Sequence, residues 1–190
     1  RLSELGHRVK VNDGVEGDLD EFLPVYAFLT SLAPVPREAL LAGYFPDLAP
    51  RPDGSAAARA MEAALAHAEL PAAQLGHINA HGTGTPLGDP AEARAVERAL
   101  GAAAEDVPVC SIKGAVGHLM AASGAIELAA SLLCFERDVL PGTAHHHERD
   151  PACGLDIIGP TSRSLRVDTV LSNSFGFGGQ NDSVLLGRPG

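Results

Sequence analysis

The fold can be inferred from residues 77–96, whose sequence is HINAHGTGTPLGDPAEARAV. Residues 77–80 predict a short strand that runs into a glycine-rich loop. Asp89, Pro90 and Glu92 then occupy the N-cap, N1 and N3 positions of a helix, a combination that marks a helix start. A strand, a glycine-rich loop and a helix in direct succession are typical of α/β proteins.

The alternation of strands and helices continues on both sides of this stretch. Residues 117–135 carry little charge and are apolar nearly all round, which predicts a helix buried on most faces. The helix that starts near Asp89 is predicted to end at Leu100, because Gly101 follows. The other predicted elements are a helix over 55–70 with Ser55 as its N-cap and strands over 107–112, 169–174 and 183–186. We therefore expect an α/β fold with a parallel or mixed sheet.

The composition narrows the class of protein. The chain has 190 residues, of which 45% are hydrophobic, and its 24 acidic and 14 basic side chains give a net charge of −10. This acidity disfavours nucleic-acid binding. No apolar run of 18 residues and no signal-peptide pattern occurs, so we expect a cytoplasmic protein without a membrane segment. Cys110, Cys134 and Cys153 have no metal-binding spacing, and the histidines over 145–147 lie among charged residues, which predicts a solvated loop without a metal.

The loop after the strand 77–80 contains a first candidate functional residue, His81. Alternating Gly and Thr follow it over 82–85, so the backbone around the imidazole can approach a ligand closely. A polar turn without a ligand explains the same residues taken alone. The glycines do not fit a dinucleotide fingerprint, and no phosphate-binding P-loop occurs in the sequence.

A second candidate loop contains Lys113 and His118. His118 opens the apolar helix, where the helix dipole would favour a neutral imidazole that donates a hydrogen bond from Nε2. A buried lysine needs a partner, and Glu127 is the one charge within the predicted helix. The Lys113–Glu127 pair is either structural or holds the histidine in place, and both interpretations stay open.

A third candidate loop, over 173–181, places three glycines around Phe175 and Phe177. Its backbone can turn tightly beside a pocket, where an aromatic ring can act as a gate. A glycine-rich turn with both phenylalanines in the core is the alternative.

Together the three loops resemble the C-terminal half of the β-ketoacyl-acyl carrier protein synthases, condensing enzymes of the thiolase superfamily in fatty-acid and polyketide synthesis. The matching motifs are His81-Gly82-Thr83-Gly84-Thr85, then Lys113 with Gly117-His118, then Asn173-Ser174-Phe175-Gly176-Phe177-Gly178-Gly179. The resemblance implies a thiolase-like domain over 42–190, with a mixed sheet covered by helices and one buried helix, and leaves 1–41 as a poorly matched segment.

The resemblance also implies roles for individual residues. His81 and His118 are expected to donate hydrogen bonds to the thioester carbonyl of a malonyl group, stabilising the enolate that forms as carbon dioxide leaves. Two neutral imidazole donors preset around a developing oxyanion would lower that barrier. No metal or organic cofactor is expected, because the phosphopantetheine arm arrives on the acyl carrier protein. The remaining implied site residues are Lys113 in the catalytic set, Glu127, Thr83 and Thr85 in support, and Phe175, Gly176 and Phe177 in a gating or oxyanion loop.

The sequence departs from the family at the nucleophile. The family's cysteine lies in a Thr-Ala-Cys-Ser-Ser type motif upstream of the first histidine, and no such motif occurs here. None of the three cysteines of this chain is expected to replace it. A split enzyme, a non-acylating homologue and a fragment of a longer chain all remain open.

We expect the C-terminal half of a split ketosynthase, working with an N-terminal-half chain that carries the cysteine and with an acyl carrier protein, as a dimer of heterodimers. A non-acylating subunit, with a chain-length or scaffold role or with malonyl decarboxylase activity, is the alternative.

Overall fold

The computed structural model describes residues 8–10, 50–176 and 179–189. Its strands are β1 (Arg8–Lys10), β2 (His77–Asn79), β3 (Pro108–Cys110), β4 (Val139–Leu140), β5 (Asp156–Ile157), β6 (Arg163–Ser164), β7 (Thr169–Phe175) and β8 (Asn181–Gly187). Its α-helices are α1 (Ser55–His67), α2 (Gly88–Leu100), α3 (Lys113–Val116) and α4 (Ser123–Arg137). Short 3₁₀ turns cover Ala72–Gln74, Gly101–Glu105 and Met120–Ala122.

The main sheet is mixed, as the sequence predicts. Its strand order is β1-β8-β7-β2-β3-β5, in which β7, β2, β3 and β5 run parallel while β8 is antiparallel to both β7 and β1. β4 and β6 pair separately. Since parallel strands end at the same edge of a sheet, the loops that follow β2, β3 and β7 emerge side by side. Strand β1 was not predicted, and the rest of the poorly matched segment 1–41 lies outside the described residues.

Hydrophobic cores lie on both faces of this sheet. Successive residues of a strand point to opposite faces, and Leu171 and Leu185 pack with α1 and α2 in one core. Their neighbours Val170 and Leu186 pack with α4 in the other core. All four side chains are buried, which stabilises the fold by roughly 1.5–3 kcal/mol for each of them. Helices therefore cover the sheet on both sides and fix the edge from which the loops emerge.

The start of α1 differs from the prediction in its cap. Gly54, with φ +69°, occupies the N-cap position instead of Ser55. The Asp53 Oδ1 atom accepts hydrogen bonds from the main-chain N–H of Ser55 at 3.1 Å and from its hydroxyl at 2.8 Å. A Cβ atom on Gly54 would lie 2.5 Å from the main-chain nitrogen of Ala95 in α2. Glycine is needed here because the two helices approach so closely.

The start of α2 also departs from the predicted capping arrangement. The helix begins at Gly88, one residue before the predicted N-cap. The Asp89 Oδ1 atom accepts the main-chain N–H groups of Gly84 at 3.1 Å and Thr85 at 3.3 Å, so Asp89 stabilises the preceding loop. Glu92 likewise turns to that loop and not to the helix start.

The predicted helix over 117–135 is correct only in its later part. Gly117 and Met120 both have positive φ, at 77° and 55°, which a right-handed helix does not allow. The chain therefore leaves α3, passes through a 3₁₀ turn and enters α4 only afterwards. Periodicity could not show this break, since every residue between Gly117 and the start of α4 is either apolar or small, apart from His118.

Helix α4 is buried on one face and not on most faces. Its inward side chains include Ser123, Glu127 and Ser131, all under 6% exposed, whereas Ile126 and Leu133 are 39% and 51% exposed. Within residues 50–176 and 179–189, no helix combines the length and apolarity that crossing a membrane requires.

Candidate active site

His81 lies immediately beyond β2, at the edge where the loops emerge. The main-chain N–H of Ala80 donates to the Cys110 carbonyl at 2.7 Å, so strand pairing continues up to the residue before the histidine. The next residue, Gly82, has φ +39°, and its carbonyl accepts a 2.8 Å hydrogen bond from the Ser111 hydroxyl. A Cβ on Gly82 would lie 2.6 Å from that of Ser111, so only glycine lets the loop turn here.

The carboxylate of Glu92 stabilises the His81 loop through hydrogen bonds to its main chain. It accepts the main-chain N–H groups of His81 at 2.9 Å and Gly82 at 2.8 Å, and the side-chain amide of Asn173 at 3.1 Å. Asn173 in turn accepts a 2.8 Å hydrogen bond from the Ser183 hydroxyl. Burial raises the pKa of the Glu92 carboxyl, and the three donors oppose that rise. Glu92 thus ties α2, the His81 loop and β7 together.

Sequence reasoning assigned Glu92 to a helix cap and missed this contact. A signal was available, because Glu92 lies on the apolar side of an amphipathic helix, between Ala91 and Ala95, which are both buried. A carboxylate in that position needs buried donors.

His118 faces His81 across the site. The two imidazole centroids are 5.6 Å apart, with the rings nearly perpendicular at 85°. The Phe175 ring, at the end of β7, lies 5.8 Å from the His81 ring. The main-chain N–H of Met120 donates to Nδ1 of His118 at 3.2 Å, so Nδ1 carries a lone pair and the proton of the neutral ring is on Nε2. One residue from each of the three predicted loops is therefore present in a single site.

The surroundings of both imidazoles favour the neutral form. Burial lowers the pKa of His81 to about 3, with further contributions from the cationic Lys113 and from His118. Burial also lowers the pKa of His118, again assisted by Lys113. From the sequence we expect a helix dipole to favour the neutral imidazole of His118. Because α4 begins five residues after His118, burial and the charge of Lys113 lower its pKa instead.

Lys113 and Glu127 form the ion pair that the sequence suggested. The Nζ atom of Lys113 contacts Oε1 of Glu127, and the two residues are only 7% and 1% exposed. The second carboxylate oxygen, Oε2 of Glu127, is buried without a hydrogen-bond partner among the described residues. Burial raises the pKa of Glu127, and the lysine opposes that rise. The pair joins α3 to α4, and His118 lies on the segment that it brackets.

The other predicted site residues are arranged as parts of the same loops. The Thr85 hydroxyl accepts the main-chain N–H of Gly88 at 3.1 Å and lies 3.3 Å from the Thr83 hydroxyl. The main-chain N–H of Gly176 donates to the Gln180 carbonyl at 2.7 Å, which closes the third loop. Phe177, predicted with the gate, lies outside the described residues.

The cysteines do not resemble an activated nucleophile. Burial raises the pKa of both Cys110 and Cys134, the latter to about 11, which suppresses the reactive thiolate. Cys153 is half-buried and lies in the loop before β5. Among residues 50–176 and 179–189, no group of three or more His, Cys, Asp or Glu side chains is arranged to hold a metal ion.

Comparison with known proteins places this chain in a family. Residues 41–147 match the family described as beta-ketoacyl synthase, C-terminal domain. The chain is 48% identical over 139 residues to the ketoacyl synthase alpha subunit of a Streptomyces glaucescens tetracenomycin polyketide synthase, covering 73% of this chain and 33% of that protein. It is 46% identical over 133 residues to 3-oxoacyl-[acyl-carrier-protein] synthase 2 of a Synechocystis strain, covering 70% of this chain and 32% of that protein.

A solved structure gives the same result for the fold. A type II polyketide synthase ketosynthase, solved in complex with its acyl-carrier protein, matches with a TM-score of 0.72 and 33% identity over 78% of this chain and 36% of that one. The α/β, thiolase-like fold expected from the sequence is confirmed. The chain spans about a third of the length of these relatives. It belongs to the β-ketoacyl synthase family and contains that family's C-terminal domain.

Proposed function

We propose that this chain supplies the two-histidine site for the decarboxylative Claisen condensation of a malonyl-carrier-protein thioester with an acyl group held on a cysteine of a partner chain. The observation that supports it most is the pair of imidazoles of His81 and His118, whose ring centroids lie 5.6 Å apart at one edge of the sheet. Neutral N–H donors set around one position stabilise a negative oxygen there without reorganising.

The chemistry follows from where charge develops. The bond between the malonyl methylene carbon and its carboxylate carbon breaks, carbon dioxide leaves, and the electron pair spreads onto the thioester oxygen as an enolate. His118 donates from Nε2, because Nδ1 accepts the Met120 N–H. His81 meets the same oxygen through Nε2, because its Nδ1 is buried and therefore out of a substrate's reach.

The second half of the reaction needs the partner. The enolate carbon forms a bond to the acyl carbon, and the acyl–sulfur bond breaks to release the partner's cysteine thiolate. Lys113 and Glu127 hold the His118 segment in place, while Phe175 beside His81 serves as the gate between the two substrates. Thr83 and Thr85 support the loop that receives the phosphopantetheine arm of the carrier protein.

Exposed apolar residues on this chain support an interface with a partner. Five large apolar side chains near His118 and along α4 form an exposed set, which we call the apolar face. They are Val116 (43%), Leu119 (43%), Met120 (44%), Ile126 (39%) and Leu133 (51%). An apolar patch next to an incomplete site is typical of an interface. We propose that the N-terminal half that bears the cysteine covers it, in a dimer of heterodimers.

The test separates loading from condensation. His81→Ala and His118→Ala chains, combined with the cysteine-bearing partner, should still allow the partner's cysteine to take up an acyl group. Their condensation rates should fall at least about 100-fold, the loss expected for removing one oxyanion donor. His147→Ala, in an exposed loop, is the matched control and should leave both steps unchanged.

Three other results would contradict the proposal. Equal loss of loading and condensation would refute the division of labour. Unchanged turnover in both histidine variants would favour a chain-length or scaffold role. Release of carbon dioxide from malonyl thioester by this chain alone would favour a decarboxylase.

A further inference from the structure

Two hydrogen bonds converge on the Nδ1 atom of His118. The first comes from the main-chain N–H of Met120, at 3.2 Å, and a main-chain N–H can only donate. The second joins Nδ1 to the hydroxyl of Ser123, at 3.0 Å. Because the first bond leaves Nδ1 without a proton, the Ser123 hydroxyl must donate in the second.

Ser123 is buried, and its hydroxyl has a single hydrogen-bond partner among the described residues. It is the first residue of α4 and is 5% exposed, and its main-chain N–H is already bonded to the Met120 carbonyl. Within the described part of the chain, its hydroxyl makes no other hydrogen bond than the one to His118. A buried hydroxyl without a partner is costly, so the protein gains by keeping the imidazole in this orientation.

The helix presents Ser123 together with the other polar group of the site. Ser123 and Glu127 are four residues apart, so they lie on the same side of α4 one turn apart. Ser123 meets His118, and Glu127 meets Lys113. One face of α4 thus controls both ends of the segment on which His118 lies.

We propose that Ser123 is a positioning residue that fixes His118 in its Nε2–H tautomer and in the ring orientation that faces His81. The donor from Met120 lies in the turn before α4 and the donor from Ser123 lies on α4 itself, so Nδ1 is restrained by two parts of the chain and not by one. The catalytic consequence rests on the proposed function, but the tautomer and orientation are properties of this chain.

Long-range ¹H–¹⁵N NMR of the full 190-residue chain at neutral pH tests the tautomer directly. Wild-type His118 should show the pattern of a ring protonated at Nε2. Ser123→Ala should move the tautomer ratio toward Nδ1–H by about five-fold, the effect of losing one ordinary hydrogen bond. Ser123→Thr keeps the hydroxyl and should retain the wild-type pattern. It is the second variant that tests the proposal if Ser123→Ala folds poorly.

The matched control is Ser131→Ala, which removes a buried serine hydroxyl from the same face of α4. That hydroxyl donates to the Glu127 carbonyl and does not touch His118, so the tautomer ratio should not change. An Nδ1–H pattern in the wild type, or equal spectra for Ser123→Ala and Ser131→Ala, would overturn the proposal.

Kinetics of the complex with the cysteine-bearing partner give a second readout. Ser123→Ala should lower kcat for condensation by up to about five-fold, in step with the tautomer ratio and with KM unchanged, and Ser123→Thr should recover it. If Ser123→Ala shifts the tautomer but His118→Ala retains full turnover, the proposed function is refuted. The positioning role of Ser123 then remains intact. A full kcat with a shifted tautomer would refute the catalytic consequence of that role.

Discussion

The three hydrogen bonds that converge on Glu92 allow its contribution to stability to be worked out. In Glu92→Gln, one carboxylate oxygen becomes an amide nitrogen of nearly the same size. If the remaining oxygen keeps the N–H of His81 and the amide of Asn173, the new NH₂ group faces the N–H of Gly82, formerly bonded at 2.8 Å. The buried side-chain amide that Glu92→Gln introduces and the half-buried N–H of Gly82 then lack acceptors, which costs about 2 kcal/mol of the free energy of unfolding.

Thermal unfolding of the full chain measures this cost. For a chain of this size, about 2 kcal/mol corresponds to a fall in Tm of about 4–8 °C. Glu97→Gln, on the exposed side of the same helix, is the matched control and should stay within about 0.5 kcal/mol of the wild type. A Glu92→Gln chain that melts with the wild type would show that the carboxylate does not hold the His81 loop.

The remaining predictions concern buried titratable side chains. Burial lowers the pKa of His77 from 6.5 to about 4, while its Nδ1 donates to the Pro108 carbonyl at 2.8 Å. As the pH falls from about 6.5 to 4, His77 binds a proton in the unfolded chain but not in the folded one. The stability that His77 contributes above about pH 6.5 is therefore lost across this range. Urea unfolding at pH 7 and pH 4 should differ by about 3 kcal/mol from this group, and His77→Gln should remove that part of the pH dependence; an unchanged pH slope would refute it. Breaking the Lys113–Glu127 pair by Lys113→Met should cost about 3–5 kcal/mol, and adding Glu127→Leu should recover much of it. Additive losses in this double-mutant cycle would mean that the two groups are not coupled.

The sequence was informative where local chemistry determines the outcome. Strand ends at Asn79 and Cys110 lie within a few residues of their predicted positions, so the sequence alone could assign His81 and Lys113 to loops that follow strands. The pairing of Lys113 with Glu127 was likewise predictable, because a single charge within an apolar stretch has few possible partners.

What the sequence did not show depends on tertiary contacts. The role of Glu92 is set by donors from a loop and from Asn173, which is 81 residues away in the chain. The late start of α4 depends on positive φ at Gly117 and Met120, which no apolar periodicity encodes. A polar stripe at four-residue spacing, Ser123, Glu127 and Ser131, did mark the inward face of α4, and it is the signal that would have led to Ser123.

We propose that the two catalytic histidines lie on this chain and that the reactive cysteine lies on a partner chain. Intact mass spectrometry tests it most directly, after the full chain is incubated with an acyl-carrier-protein thioester, alone and in complex with the cysteine-bearing partner. We expect an acyl mass on the partner and none on Cys110, Cys134 or Cys153. A stable acyl mass on any of those three residues would contradict it.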